Sequence, residues 1–260
     1  MMSHTAALLL GLMMAAAPLI AAQLKAPPVI PMDHGTVVAS TTNGARRWSA
    51  NWTMEPWNVN GKNAVRFTEN GKGHYSPFTQ EVQWNLESVW LADSSFFPLQ
   101  FEKTIRDTQG HTLAIEKKNF DRAGRVVRFE KQNEKGSIET STYDAAPDIL
   151  TIEGIAGILQ NFPFGKSGNA GSLRAHLLSN EPKLYDVTIE SRGTERVKTP
   201  HGDVNCYKLE VVPHLGLLNI FKIFTTKTLF WFRVEAPHDW VRFQGLENGF
   251  GSPEIIMEAK

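Results

Sequence analysis

The sequence predicts a mainly β protein built on an antiparallel sheet. Apolar and polar residues alternate along many short runs, as where Tyr185, Val187 and Ile189 alternate with polar neighbours, and this period of two indicates strands with one buried face. Turns containing Gly or Asp separate the runs at roughly ten-residue intervals, which favours a sandwich or barrel over βαβ units. One segment alone, residues 149–160, has helical spacing.

Composition limits the possible functions. The number of Lys and Arg residues equals the number of Asp and Glu residues, 27 each. The net charge therefore creates no electrostatic attraction to nucleic acid or to an acidic membrane surface. The chain is 42% hydrophobic and 21% charged, which excludes a mainly disordered chain. Cys206 is the single cysteine, so no intrachain disulfide forms, and its position within a strand favours a packing role over a reactive thiol.

The N-terminal segment predicts export. Residues 6–22 are apolar without interruption, and Ala21 and Ala22 offer a cleavage site before Gln23. We therefore expect a secretory signal peptide over 1–22 and a periplasmic or secreted protein. The signal has no Lys or Arg ahead of its apolar run, so a retained anchor stays open as the alternative. A proline-containing extended leader over 23–35 and a single β domain over 36–260 follow.

The first half of the domain is expected to be a series of hairpins. Alternation over 48–54 predicts a strand that ends at Pro56, and a short strand around 65–67 is expected before a turn at 70–73. A third strand covers 82–86, and a regular meander with Gly-containing turns runs over 99–129.

The pattern changes at Asp148. Apolar residues recur at helical spacing over 149–160, with Asp148 placed to cap the helix and Pro163 to end it. A glycine-rich loop over 164–172 follows.

The second half centres on a hairpin over 185–212, with turns expected at 191–193 and 199–203. Residues 215–224 fit either a strand or a short helix. The run 228–234 is apolar on both faces, which predicts a strand that is covered on both sides. A last short strand is expected at 255–257.

Several short motifs together resemble a known family. Asp148-Ile149-Leu150, Phe162-Pro163-Phe164, the run 195–202, Tyr207-Lys208-Leu209, Phe230-Trp231-Phe232 and the ending 251–257 carry the likeness. They are similar to exported bacterial proteins of the domain-of-unknown-function family 3108, over residues 95–258. The resemblance implies a strongly curved antiparallel sheet, a barrel or half-barrel, similar to those that carry lipoproteins or other apolar cargo. It implies no catalytic residues.

Motifs for catalysis, nucleotides and metals are weak or missing. Gly165-Lys166-Ser167 lacks the earlier glycine of a phosphate-binding loop, and no G-x-S-x-G elbow occurs. The histidines show no metal-ligand spacing. His201 fits a solvated turn, and His238 lies in a polar and aromatic cluster that an ordinary turn explains equally well. We therefore expect no cofactor, no metal and no enzymatic activity.

The aromatic residues carry the functional hypothesis. The chain holds 7 Trp and 15 Phe, and a curved sheet can enclose a pocket lined by such side chains. The sequence thus predicts an exported carrier for a lipid or another apolar ligand. The alternative is a structural or envelope-assembly protein with a filled interior that acts through protein partners. The residues expected to line the pocket are Trp84, Phe101, Phe230, Trp231, Phe232 and Trp240.

Overall fold

The computed structural model describes residues 33–164, 171–179, 184–200, 202–214, 226–249 and 251–260. The expected signal peptide, most of the leader and most of the glycine-rich loop lie outside these residues, as do His201 and the segment 215–224. Among the described residues, no helix is long and apolar enough to cross a membrane.

Strands dominate the described chain. A single short helix, α1 (Ile155–Leu159), interrupts them. The strands are β1 (Asp33–Thr41), β2 (Arg46–Val59), β3 (Lys62–His74), β4 (Glu81–Leu91), β5 (Pro98–Asp107), β6 (Thr112–Asp121), β7 (Val126–Asn133), β8 (Ile138–Asp144), β9 (Ile149–Thr151), β10 (Leu173–Leu178), β11 (Leu184–Thr199), β12 (Gly202–Pro213), β13 (Thr228–Arg233), β14 (Trp240–Leu246) and β15 (Glu254–Ala259).

All of these strands belong to one 15-stranded sheet with the order β8-β7-β6-β5-β4-β3-β2-β1-β15-β14-β13-β12-β11-β10-β9. The mainly β prediction is confirmed. Neighbouring strands are antiparallel except β9 and β10, which run parallel, so the sheet is mixed. The first and last strands pair at its centre, where Val37 faces Ala259.

The sheet is not closed. Its two edges are β8 and β9, and within the described residues no pairing joins them, so the predicted barrel is not confirmed. The sheet nevertheless curves, as is shown by one core cluster that contains residues from both of its halves. Members of that cluster include Val37, Trp48, Trp84 and Phe101 from the first half and Leu209, Phe230 and Phe243 from the second.

The turn predicted at 70–73 is wrong. Strand β3 runs through it to His74 and pairs with β2 and β4 along its length. The glycines serve packing instead, since a Cβ on Gly71 would lie 2.0 Å from Cζ2 of its cross-strand partner Trp84. The predicted end of β2 at Pro56 is also wrong, and this strand continues to Val59.

The helix predicted over 149–160 is reduced to its last part. Residues 149–151 form β9, and α1 begins only at Ile155. Gly154 occupies the N-cap position with a φ of 73°, a left-handed conformation that glycine adopts easily. Asp148 therefore does not cap the helix, and its Oδ1 lies 2.7 Å from Nδ1 of His176.

The central hairpin is confirmed with one correction. The turn expected at 191–193 is a register shift inside the continuous strand β11, and the chain reverses only between Thr199 and Gly202. The meander over 99–129 is confirmed by β5, β6 and β7. Strand β13 is buried on both faces, as predicted, with Phe230 2% and Trp231 4% exposed.

Candidate functional site

A cavity of about 600 Å³ lies between the two halves of the sheet. Its lining comes from β1 to β5, from the segment around α1 and from β10 to β15. A volume in this range is typical of sites for small organic ligands. The cavity therefore depends on the curvature that brings distant strands to one core.

Aromatic rings form much of the wall. Trp48 meets Trp84 edge-to-face with centroids 5.4 Å apart, and Trp52 stacks on Phe67 at 6.3 Å. The remaining Phe, Tyr and Trp residues of the lining are Tyr75, Tyr185, Phe230, Trp240 and Phe243. Contacts between aromatic rings hold such a wall in place.

The six predicted pocket residues separate into three groups. Trp84, Phe230 and Trp240 line the cavity. Phe101 and Phe232 belong to the same core cluster, outside the lining. Trp231 points to the opposite face of β13, where it packs in a separate cluster with Val197, Cys206, Leu229 and Val241.

The segment around α1 supplies one side of the cavity. A Cβ on Gly154 would lie 2.8 Å from Cζ3 of Trp90, so the segment rests closely on the sheet. Glu153 anchors it, since its Oε1 accepts a 2.5 Å hydrogen bond from Nζ of Lys118. The Lys118 side chain is fully buried, so this is an ion pair inside the protein. Glu153 Oε2, also buried, has no hydrogen-bond partner among the described residues.

A group of buried polar residues lies beside the tryptophans. Glu69 Oε1 accepts a 2.7 Å hydrogen bond from Nε1 of Trp84. Burial raises the pKa of Glu69, although Trp84 and the charge of Lys103 oppose this rise. The Lys103 ammonium lies 3.9 Å from the ring centroid of Tyr75. Burial alone would lower the Lys103 pKa, but Tyr75, Glu116 and Glu69 outweigh it and keep the pKa above its ordinary value.

Glu247 joins three separate parts of the chain at the cavity wall. Its carboxylate accepts hydrogen bonds from Nε and Nη2 of Arg47 at 2.8 and 2.9 Å, and from Nε1 of Trp48 at 2.8 Å. The backbone N–H of Ser76 donates to the same carboxylate at 2.8 Å. Burial would raise the pKa of Glu247, but these donors outweigh it and hold the pKa below its usual range.

Trp240 carries an unused donor. Its Nε1 is buried without a hydrogen-bond partner in the part of the chain that the structure describes. An unpaired buried N–H is costly. Carbonyl and hydroxyl oxygens are the groups that accept such a hydrogen bond.

Of the histidines that the structure describes, His34 alone lines the cavity. Nδ1 of His238 lies 3.0 Å from the carbonyl oxygen of Arg233, and its ring meets Phe164 edge-on at 4.9 Å. His176 lies between Asp148 and Asp186 on the sheet surface, at 2.7 and 3.1 Å. The described residues contain no group of three or more His, Cys, Asp or Glu placed to hold a metal ion.

Cys206 lies in the outer cluster with Trp231 and is fully buried. Burial raises the pKa of its thiol to about 11. The thiolate that reacts with electrophiles is therefore scarce at neutral pH.

Sequence reasoning missed the polar residues of the cavity. Lys103 falls between Phe101 and Ile105 on the buried face of β5, so its place in the alternation was a usable signal. Glu247 left no such signal, because its partners Arg47 and Ser76 come from remote parts of the chain.

Fold and site together define a mainly antiparallel β protein with an aromatic-lined internal cavity. The chain belongs to the family of proteins of unknown function DUF3108, whose model matches residues 38–260. The match is wider than the likeness seen from motifs, and it includes the tryptophan-containing strands β2 and β4.

Solved structures give remote likenesses. A candidate exported protein with a YmcC-like fold from Bacteroides fragilis is 10% identical, with a TM-score of 0.31 over 92% of this chain and 97% of that chain. A candidate lipoprotein from Parabacteroides distasonis is 8% identical, with a TM-score of 0.33 over 92% of this chain and 98% of that chain. A search of curated proteins finds no match.

Proposed function

We propose that this chain is an exported carrier that binds a lipid or another apolar ligand in the cavity between the two halves of its sheet. The observation that carries the proposal is the cavity of about 600 Å³ with its wall of aromatic side chains. A closely packed interior leaves few voids larger than a water molecule. Binding of an apolar ligand in a largely apolar pocket of this size is favourable because the ligand displaces water from apolar surface.

The role is one of binding rather than catalysis. Two carboxylates at the cavity are already paired with cations, Glu247 with Arg47 and Glu153 with Lys118. His238 bonds a backbone carbonyl oxygen instead of a carboxylate. Export follows from the uninterrupted apolar run over 6–22, which has the composition of a signal peptide.

The first test identifies the ligand directly. The protein is purified without detergent from the envelope or medium of its own host and examined by native mass spectrometry, followed by organic extraction and lipid analysis. A stoichiometric apolar molecule supports the proposal and gives the ligand's chemical class. A clean apo mass, together with no retention of added lipid, contradicts it and favours a role through protein partners.

A variant pair locates the site. Ala156 is half-buried and lines the cavity, so Ala156→Phe places a ring in the space that the ligand needs. Ala123 is exposed in the turn between β6 and β7, so Ala123→Phe is the same change far from the cavity. We expect the first variant to lose the co-purifying ligand and the second to keep it. Equal retention by both would place the ligand elsewhere.

A further inference from the structure

Two lysines project into the concave face of the sheet from adjacent strands, and their surroundings differ. Lys118 on β6 is fully buried and has the Glu153 carboxylate 2.5 Å away. Lys103 on β5 is 6% exposed and lines the cavity. Within the described residues, Lys103 Nζ has no carboxylate oxygen within 4.0 Å. It lies 3.9 and 5.6 Å from the ring centroids of Tyr75 and Trp84, and it also forms a side-chain hydrogen bond with Tyr75.

The sheet register explains why Lys103 lacks an ion pair. Leu86 stands between Glu69 and Lys103, because Glu69 pairs with Leu86 and Leu86 pairs with Lys103. Strands lie about 4.8 Å apart, so the Glu69 backbone is two strand spacings away. Glu69 also uses its carboxylate to accept the Trp84 N–H.

The other nearby carboxylates are committed to different cations. Glu116 is the direct cross-strand partner of Lys103, yet its Oε1 pairs with Nζ of Lys131 at 3.2 Å. Glu247 accepts both guanidinium contacts from Arg47. The Lys103 ammonium is thus charged and buried, with a side-chain hydrogen bond to Tyr75, ring contacts and more distant acids around it, but no carboxylate in direct contact among the described residues.

A buried charge without a hydrogen-bonded counter-ion is expensive. Cation–π contacts with Tyr75 and Trp84 offset part of that cost. The unmet hydrogen-bonding capacity faces the cavity, whose remaining wall is largely apolar. Arg233 and Lys260 also line the cavity, but both are exposed, whereas Lys103 is buried beside the aromatic wall. One buried cation next to apolar side chains matches a molecule with one acidic head and an apolar chain.

We infer that the cavity accepts an amphiphile with a single anionic head group, a long-chain carboxylate, whose oxygens pair with the Lys103 ammonium while its chain lies against the tryptophans. The inference rests on the proposed function, since it specifies the ligand of the same cavity. It makes Lys103 the residue that selects the head group.

The test compares the binding of three amphiphiles that have the same chain length and differ in their head group. Dodecanoate, 1-dodecanol and dodecyltrimethylammonium are titrated separately into the protein at pH 8, and binding is followed by the fluorescence of the cavity tryptophans. We expect dodecanoate to bind about tenfold more tightly than 1-dodecanol, the effect of one charge-assisted hydrogen bond. The cationic chain should bind most weakly.

Three variants assign the preference to its residue. Lys103→Met removes the charge at similar length and should bind both the acid and the alcohol with the alcohol's affinity, whereas Lys103→Arg should keep the preference for the acid. Lys117→Met is the matched control, because Lys117 is a half-exposed lysine paired with Glu102 on the other face of β6. It should leave all affinities unchanged.

The outcomes separate the two proposals. Equal binding of acid and alcohol by the unaltered protein, or an acid preference that survives in Lys103→Met, overturns the head-group inference and leaves the carrier intact. Failure of all three amphiphiles to bind overturns both. If Lys103→Met does not fold, the head-group comparison on the unaltered protein and on Lys103→Arg decides.

Discussion

Glu247 shows how one side chain ties remote parts of this chain together. It follows β14 and receives hydrogen bonds from Arg47 and Trp48 on β2 and from the backbone of Ser76 after β3. These contacts join the two halves of the sheet at the wall of the cavity. Loss of the carboxylate charge should therefore affect the whole fold.

We expect Glu247→Gln to lower the free energy of unfolding by about 2 kcal/mol at pH 7, because Arg47 loses its buried counter-ion. Urea denaturation followed by tryptophan fluorescence measures the change. Glu102→Gln is the control, since its pair with Lys117 is exposed and should contribute less than about 0.5 kcal/mol. Equal effects of the two changes would contradict the role given to Glu247.

Glu247 also determines how the stability of the folded protein changes with pH. The pKa of Glu247 is lowered in the folded protein, so its contribution to stability is fully present above the unfolded pKa of about 4.3. It is lost as the pH falls through the lower folded value. Between pH 6 and pH 3, the unaltered protein should therefore lose more stability than Glu247→Gln does.

At the scale of elements, Gly71 on β3 leaves room for the ring of Trp84, its cross-strand partner on β4. The Trp84 ring occupies the place where a Cβ on Gly71 would lie. We expect Gly71→Ala to cost about 1–3 kcal/mol through overpacking. In a Trp84→Ala background the same change should cost clearly less, and a double-mutant cycle by chemical denaturation measures the coupling. Additive costs would show that the two residues do not compete for space.

The segment around α1 depends on the Lys118–Glu153 pair for its attachment to β6. Glu153→Gln leaves a buried ammonium without its counter-ion, so we expect a loss of about 3–5 kcal/mol. Replacing both residues, as Lys118→Met with Glu153→Leu, should restore most of that stability because no buried charge remains. Chemical denaturation of the single and double variants checks this, and a double variant no more stable than Glu153→Gln would refute it.

These elements also show what the sequence can predict. The alternation in β5 and in the first part of β4 identified strands correctly, because one face is buried and the other is largely exposed. The turns at 70–73 and 191–193 were wrong for a common reason: glycines that permit close packing or a register shift look like turn glycines when their tertiary neighbours are unknown. Residues 149–160 were assigned entirely to a helix because apolar spacing in a short buried strand resembles that of a helix.

For the candidate site, aromatic residues were easier to find than polar ones. Trp84, Phe230 and Trp240 stand in apolar patterns and line the cavity. Trp231 is equally apolar but packs in the separate cluster on the opposite face of β13. The sequence could not show this, because a strand that is buried on both faces has no polar side to mark which face lines the cavity. The lack of an ion pair at Lys103 can be recognised only from the strand register, which places Leu86 between Lys103 and Glu69.

At the scale of the whole molecule, the shared core predicts cooperative unfolding. The main cluster draws residues from β1 to β6, from α1 and from β9 to β15, and β1 pairs directly with β15. Differential scanning calorimetry should show one transition with equal calorimetric and van't Hoff enthalpies. Two resolved transitions would instead indicate that the halves of the sheet are separate domains.

The order of strands has a consequence for synthesis on the ribosome. β8 and β9 are consecutive in the chain yet form the two edges of the sheet, whereas β1 and β15, at opposite ends of the described chain, meet at its centre. Until the last strand emerges, β1 and β14 are both open edges that invite mispairing.

Joining Lys260 to Asp33 and opening the chain between Asp144 and Ile149 would turn the same sheet into a circular permutant whose neighbouring strands are all neighbours in sequence. The natural order therefore leaves the longest loop closure, between the first and last strands, as the step that completes the fold.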